Sequence, residues 1–135
     1  LVNIFRDLPA DLARGRCYMP ADRLAALGLT PDDLRNPAHW LRFQPAYQDL
    51  LRIASEHLSA GWRYTCSLPP RPRRLRVACA LPILIGARTL ELLRHANPLD
   101  GSVRIKISRA EVRSILLRSI LLLPFRTRWE RLFAR

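Results

Sequence analysis

The sequence predicts an all-α fold, and three observations carry that prediction. Apolar residues recur at helical spacing, Pro and Gly fall between the periodic segments, and a Ser-x-x-Glu capping box precedes the last long one. The chain has 135 residues, 49% of them hydrophobic, which is typical of one packed globular domain and not of a disordered basic tail. We therefore expect helices packed around an apolar core.

The first half divides into one opening helix, two short helices and one long helix. Leu1 to about Arg14 has apolar residues at helical spacing and ends at Gly15, a residue favoured just past a helix. Pro20 to Leu27 forms a short helix, and Thr30 is positioned to cap a second one. From about Pro45 to Thr65 an apolar stripe predicts a long helix with one buried face.

The second half contains two further helices and one ambiguous segment. Arg73 to about His95 is apolar nearly all round, which predicts a central buried helix that Pro82 should bend. A capping box at Ser108 starts a last long helix over about Val112 to Leu123. Between them, Val103 to Ile107 alternates apolar and basic residues, which fits either a strand or an extended loop.

The charge of the chain points to an anionic partner. There are 23 Lys and Arg against 11 Asp and Glu, a net charge of +12, and +11 of it lies beyond residue 67. Nucleic acid is a poor fit, because the arginines interrupt apolar helices and no groove-docking motif is present. We therefore expect no nucleic-acid partner.

Cysteine usage and apolar runs bear on location. The three cysteines form no CxxC pair, which predicts neither a disulfide framework nor a zinc site and favours the cytoplasm. The longest apolar runs are too short to span a bilayer. Arginines over residues 71–76 and 126–135 allow peripheral contact with anionic lipid at the inner face of a membrane, or simply a solvated basic face. Because the chain opens inside a predicted helix, we expect it to be part of a longer protein.

The first segment carries the residues with the clearest chemistry. Asn3, Asp7 and Asp11 are spaced i, i+4, i+8, so a helix places the amide and both carboxylates on one face. Two carboxylates on one face repel each other, and a divalent cation between them makes the arrangement favourable. Mg²⁺ is typically held by one or two carboxylates together with waters and substrate phosphates. Arg6 and Arg16 flank the pair and suit phosphate oxygens. A solvated helix with acids and arginines pairing on its surface is an equally weighted alternative.

Three segments resemble one enzyme family. The pattern Asn-x-x-Arg-Asp-x-x-x-Asp, followed by Gly-Arg-x-Tyr-x-Pro, covers residues 3–20 and resembles the second aspartate-rich motif of squalene/phytoene synthases. Residues 74–82, with Thr89-Leu90 after them, are similar to the Cys-Ala-x-Pro helix of the squalene synthase branch. Residues 101–106 are similar to that branch's Gly-x-Val-Lys-Ile-Arg with the two basic types exchanged. The matches occur in the right order along nearly the whole chain.

The resemblance implies a fold and a reaction. Residues 1–135 are expected to be the C-terminal portion of a single isoprenoid synthase domain, all-α with a central active-site cavity, without the N-terminal helices that carry the first aspartate-rich motif. The implied reaction is the Mg²⁺-dependent head-to-head condensation of two farnesyl diphosphates through presqualene diphosphate to squalene. NADPH is the cofactor that the final reduction of that branch would require.

The resemblance also implies site residues. Asp7 and Asp11 are the implied catalytic residues and, with Asn3, the implied Mg²⁺ ligands. The cations implied for the substrate diphosphate are Arg6, Arg16, Arg104 and Lys106. The residues implied for the substrate pocket are Tyr18, Ala78, Cys79 and Pro82. For any one residue of the Ala78 helix, ordinary core packing is the more common role, and Cys79 is better interpreted as a small hydrophobe than as a nucleophile.

Two departures from the family pattern keep alternatives open. Ala10 occupies a position where the family commonly has Glu, which removes one carboxylate from the cluster. No facing acidic motif exists in the chain, since Asp32 and Asp33 are better interpreted as first-turn helix acids. We therefore expect the isolated chain to be inactive. The alternatives are a phytoene or dehydrosqualene synthase that needs no NADPH, and a non-catalytic scaffold or assembly protein of the same fold.

Overall fold

The computed structural model describes residues 1–69, 71–102 and 105–133, and over these residues the fold is all-α, as the sequence predicts. The described helices are α1 (Val2–Arg6), α2 (Leu8–Ala13), α3 (Ala21–Ala26), α4 (Trp40–Ser67), α5 (Arg73–Arg94), α6 (Arg109–Leu121) and α7 (Arg126–Glu130). Two 3-10 turns, Asp33–Arg35 and Pro37–His39, precede α4. The chain divides into two compact units: unit 1 is Leu1–Ala54 with Leu90–Lys106, and unit 2 is Ser55–Thr89 with Ile107–Arg135.

The predicted opening helix is two short helices, α1 and α2, that meet at Asp7. Pro9 explains the break, because a proline has no N–H to donate to the carbonyl of Phe5 and its ring crowds the preceding turn. Pro9 lies in the first turn of α2, where a missing N–H costs little. The expectation of one continuous helix was therefore wrong, although both halves are helical.

An aromatic cluster forms much of the core of unit 1. The rings of Phe5 and Tyr47 meet edge to face with centroids 5.7 Å apart, and Trp40 meets Tyr47 in the same way at 5.5 Å. Phe43 and Tyr47 are at most 1% exposed. Because Phe5 belongs to α1, this cluster attaches the start of the chain to α4.

α4 begins at Trp40, five residues before the predicted start at Pro45. The prediction assigned Pro45 to the first position of the helix, where proline is most favourable. In the structure Pro45 lies inside α4, and the turn before it is stabilised by the packing of Trp40 and Phe43 on Tyr47. The predicted buried stripe, which includes Leu50 and Leu58, is confirmed at Tyr47, Leu51, Ala54 and Trp62, whereas Leu50 and Leu58 are half-buried.

Unit 2 is organised around a stack of aromatic rings. The rings of Trp62 and Trp129 are 4.8 Å apart and 24° from parallel, and Phe133 stacks on Trp62 at 5.9 Å. The buried guanidinium of Arg76 lies 4.5 Å from the Trp129 ring centroid. The Nε1–H of Trp129 donates to the carbonyl of Ser119 at 3.0 Å. Trp129 of α7 therefore contacts both α5 and α6.

α5 buries one face and exposes the other. The sequence predicts a helix that is buried all round, but only a stripe that includes Ala80 and Leu84 is buried within unit 2. Ala78 and Pro82 are exposed, so the expectation of a central buried helix was wrong. The apolar composition of α5 predicted full burial, but a helix is buried all round only where other elements pack on every side. The described residues do not supply those elements.

Within the described ranges, no helix is long and apolar enough to cross a membrane.

The start of α6 confirms the capping box. The Oγ of Ser108 accepts from the amide of Glu111 at 3.1 Å, and Oε2 of Glu111 accepts from the amide of Ser108 at 3.1 Å. The Nε of Arg88 donates to Oε1 of Glu111 at 3.0 Å. These hydrogen bonds, chiefly those from Ser108, hold the pKa of Glu111 below its usual value.

The alternating segment before α6 is described only in part. Val103 and Arg104 lie outside the described residues. Ile105, Lys106 and Ile107 form neither helix nor strand, which agrees with the extended-loop interpretation for these three residues.

Candidate active site

Three polar residues near the start of the chain follow one another by one helical turn. The amide of Asp7 donates to the carbonyl of Asn3, and the amide of Asp11 donates to the carbonyl of Asp7, both at 2.9 Å. The i, i+4, i+8 register therefore passes through the junction of α1 and α2. Phe5 and Leu8, at most 2% exposed, lie between them in sequence and pack into the core.

Both carboxylates of this face are paired with arginines. Nε and Nη2 of Arg6 donate to Oδ1 and Oδ2 of Asp7, each at 2.8 Å, and this hydrogen bonding raises the pKa of Arg6. Asp11, whose side chain is 16% exposed, lies 4.0 Å from Nη1 of Arg14. Arg14 is not among the predicted site residues, although its i, i+3 spacing from Asp11 was a usable signal. Both pairs also agree with the alternative of a solvated helix.

Gly15 positions Arg16 against the end of α2. Its φ is +74°, in the left-handed region that favours glycine. The amide of Gly15 donates to the carbonyl of Leu12 at 3.0 Å, and the amide of Arg16 donates to the carbonyl of Asp11 at 2.8 Å. This is a Schellman motif, and it returns the chain so that Arg16 follows Asp11 closely in space. Tyr18, a predicted pocket residue, is 53% exposed in the same unit.

A distant segment of unit 1 lies beside α2. A Cβ placed on Gly101 would come 3.7 Å from the Cβ of Pro9, which is ordinary van der Waals contact. Gly101 therefore lies next to the side chain of Pro9 in α2. Lys106 is exposed, and Arg104, the other predicted cation here, lies outside the described residues.

The three remaining predicted pocket residues belong to unit 2 and are described within it. Ala78 lines an apolar groove between α5 and the end of α6. Cys79 is half-buried and Pro82 is exposed, and neither lines that groove. Of the three predicted pocket residues, Ala78 is therefore the one that lines this groove.

The donor atoms of the polar face limit how it can hold a metal. Among the described residues, no group of three or more His, Cys, Asp and Glu side chains is close enough to hold a metal ion. Asn3, Asp7 and Asp11 offer one amide and two carboxylates, which is a hard oxygen set. A metal held there needs its other ligands from waters, from a substrate or from residues outside this set.

Comparison with known proteins assigns the chain to a family. A sequence model described as squalene/phytoene synthase matches residues 1–111. The 15-cis-phytoene synthase of Enterobacter agglomerans is 34% identical over 80 residues, which cover 59% of this chain and 26% of that protein. Phytoene synthase 2, chloroplastic, of Zea mays is 36% identical over 64 residues, covering 45% of this chain and 16% of that protein.

A third relative matches a shorter stretch more closely. The Bifunctional protein CrtB/UppS of Streptomyces coelicolor is 57% identical over 35 residues, 26% of this chain and 6% of that protein. The chain thus spans about a quarter or less of the length of these relatives. No solved structure matches it. Because the family model covers most of the chain, the chain belongs to the squalene/phytoene synthase family.

Proposed function

We propose that this chain supplies the second aspartate-rich part of the active site of a prenyltransferase that joins two prenyl diphosphates head to head. The observation that carries the proposal is the polar face of α1 and α2, in a chain whose residues 1–111 match the family. Asn3, Asp7 and Asp11 are the residues we assign to it. Asp7 and Asp11 are proposed to be the catalytic residues.

The donor set of this face fits Mg²⁺. Two carboxylates and one amide on successive turns are ligands of the kind that this ion prefers, with substrate phosphates completing its shell. When bound, Mg²⁺ would neutralise the charge that develops on the departing diphosphate. In the structure Arg6 donates hydrogen bonds to both carboxylate oxygens of Asp7. We propose that its guanidinium releases this carboxylate and binds the diphosphate when metal and substrate bind.

The cations around the face are assigned to the substrate diphosphate. The Schellman motif joins the backbone of Arg16 to that of Asp11, and Gly101, five residues before Lys106, lies next to Pro9 of α2. Charge-assisted hydrogen bonds from such side chains stabilise diphosphate oxygens as the carbon–oxygen bond breaks. Apolar walls and exclusion of water would then protect the allylic cation. We propose Tyr18, Ala78, Cys79 and Pro82 for these walls.

The substrate and product separate two candidate activities. Our first candidate is the coupling of two farnesyl diphosphates through presqualene diphosphate to squalene with NADPH, which the Cys-Ala-x-Pro and Gly-x-Val segments favour. The second is a phytoene or dehydrosqualene synthase without reduction, and the names of two relatives, both phytoene synthases, favour it. Either product is a long hydrocarbon, which would suit an enzyme that works beside a lipid bilayer.

The test is product analysis with the protein that carries this chain. Farnesyl and geranylgeranyl diphosphate are each supplied with Mg²⁺, with and without NADPH. Squalene that forms only with NADPH supports the first candidate, and phytoene or dehydrosqualene without NADPH supports the second. No product with either substrate would contradict both and leave the non-catalytic scaffold. Residues 1–135 alone should form no product, because they lack the facing acidic motif.

Matched substitutions test the site. Asp7→Asn and Asp11→Asn should each reduce kcat by about a hundredfold or more, since each removes charge from the proposed metal site. Asp22→Asn is the control, because Asp22 is an exposed acid in the first turn of α3. Activity retained in both site variants, with circular dichroism unchanged, would refute their assignment as metal ligands.

A further inference from the structure

Arg35, an arginine of the first 3-10 turn, lies beside the end of α2. Gly15 follows Asp11 by four residues, as Asp11 follows Asp7. Glycine has no side chain, and a Cβ built on Gly15 would lie 3.9 Å from Nη2 of Arg35. The guanidinium of Arg35 therefore lies beside the point where a side chain of residue 15 would begin, one step beyond the last carboxylate of the polar face.

The backbone of Arg35 belongs to an anchored turn. Leu34, the middle residue of the turn Asp33–Arg35, is fully buried. The amide and the hydroxyl of Thr30 donate to Oδ2 of Asp33, both at 2.7 Å, and these hydrogen bonds hold the start of the turn. Because the backbone is already ordered, a ligand that binds Arg35 restricts the side chain alone.

Two further arginines flank the same glycine. Arg14 and Arg16 are exposed, and the guanidinium of Arg35 lies beside the residue between them. Like charges repel one another, and an anion bound among them removes that repulsion. The end of α2 therefore favours an anionic ligand.

The carboxylates near these arginines hold them loosely. Nε of Arg35 lies 3.4 Å from Oδ1 of Asp32, whose side chain is 87% exposed. Nη1 of Arg14 lies 4.0 Å from Oδ1 of Asp11. Exposed ion pairs at such distances contribute little to stability. A diphosphate, with more charge and more acceptor oxygens than one carboxylate, can therefore displace Asp32 from Arg35.

A second arginine of unit 1 has the same relation to a glycine and provides a comparison. Among the described residues, Gly15 and Gly28 are the glycines with positive φ, and Gly28 follows α3. A Cβ built on Gly28 would come 2.6 Å from Nη2 of Arg42. A cation beside the end of a helix can stabilise the last carbonyls in both places. The two arginines differ because α3 carries none of the proposed site residues.

We propose that Arg35 binds the diphosphate group of a prenyl substrate, as a further cation of the site on α1 and α2. The proposal rests on the proposed function, because it assigns a new residue to that same site. The guanidinium would release Asp32 and donate to phosphate oxygens. No sequence motif points to Arg35, since its approach to Gly15 exists only in the folded chain.

Calorimetric titration with inorganic diphosphate and Mg²⁺ measures this role without turnover, in the protein that carries this chain. Arg35→Gln should weaken diphosphate binding about tenfold, the order expected when one charge-assisted hydrogen bond is lost. Arg35→Lys keeps the charge and should restore binding to within about threefold of the parent. Arg42→Gln is the matched control and should stay within about twofold.

Urea unfolding separates ligand binding from folding. Arg35→Gln and Arg42→Gln should lower the unfolding midpoint by similar small amounts, because each removes a cation from the end of a helix. A purely structural Arg35 would change the midpoint and leave the affinity for diphosphate unchanged.

Three outcomes would overturn the proposal. Unchanged diphosphate binding in Arg35→Gln, with weakened binding in Asp11→Asn, would overturn the role of Arg35 and leave the proposed function intact. Equal weakening in Arg35→Gln and Arg42→Gln would also overturn it, since that result indicates a general effect of net charge. A parent protein that binds no diphosphate in the presence of Mg²⁺ would overturn both this role and the proposed function.

Discussion

Gly15 connects a local backbone requirement to the position of the site. Its φ of +74° lies where an L side chain costs about 1–2 kcal/mol, whereas replacing a glycine recovers roughly 0.4–1 kcal/mol of unfolded-state entropy. Gly15→Ala should therefore lower the free energy of unfolding by about 1 kcal/mol. A Cβ at this position would meet Nη2 of Arg35 at 3.9 Å, so a steric clash adds nothing to the cost.

Urea unfolding followed by circular dichroism measures this change as a lower midpoint at an unchanged m value. Gly15→Asn should lose less than Gly15→Ala, because asparagine tolerates the left-handed region better than alanine. Gly101→Ala is the control, since Gly101 has no positive φ and its added Cβ would lie 3.7 Å from Pro9. A Gly15→Ala protein as stable as the parent, or a Gly101→Ala protein equally destabilised, would refute the reasoning.

Three further substitutions test the packing and the caps by urea unfolding. Trp129→Ala should cost roughly 3–5 kcal/mol, because the side chain is fully buried against Trp62, and a loss below about 1 kcal/mol would contradict its role. Ser108→Ala should cost about 1 kcal/mol as a lost cap. The pKa of Glu111 is lower in the folded protein than in the unfolded protein, so the ionised side chain stabilises the fold when the pH is above the unfolded-state pKa. This stabilisation is lost as the pH falls through the folded-state pKa. The Ser108→Ala difference should therefore shrink in acid, and a constant difference would disprove the box. Tyr47→Phe should be neutral or stabilising, since the buried hydroxyl has no hydrogen-bond partner among the described residues, and a clear loss would reveal one.

Helix ends with a local chemical signal could be predicted from the sequence. Gly15 and the box at Ser108 both mark helix termini in the structure, because the hydrogen bonds of a cap join residues within six positions of one another. The break at Asp7 and the early start of α4 were missed. Pro9 was visible in the sequence, but a proline in the first turn of a new helix and a proline that breaks a continuing one have the same local pattern. The first turn of α4 depends on the packing of Trp40 and Phe43 on Tyr47, which the sequence does not specify.

For the candidate site, the sequence predicts the local register of the polar residues but not the distant segment that lies near them. The spacing of Asn3, Asp7 and Asp11 alone determined that they share a face, and the helical hydrogen bonds confirm it. Their roles as ligands stay a prediction. The closeness of Gly101 to Pro9 could not be predicted from spacing, because the two residues are far apart in sequence and come together only through folding.

The sequence by itself determined the all-α class, the helix caps and the polar face at the start of the chain, since each depends on residues within one or two helical turns. Only the tertiary structure decided which apolar surfaces are covered. Trp62 and Trp129 are 67 residues apart and stack, whereas the leucines of α6, equally apolar in the sequence, stay exposed. Burial is a property of the pairing of distant surfaces, and hydropathy alone does not specify that pairing.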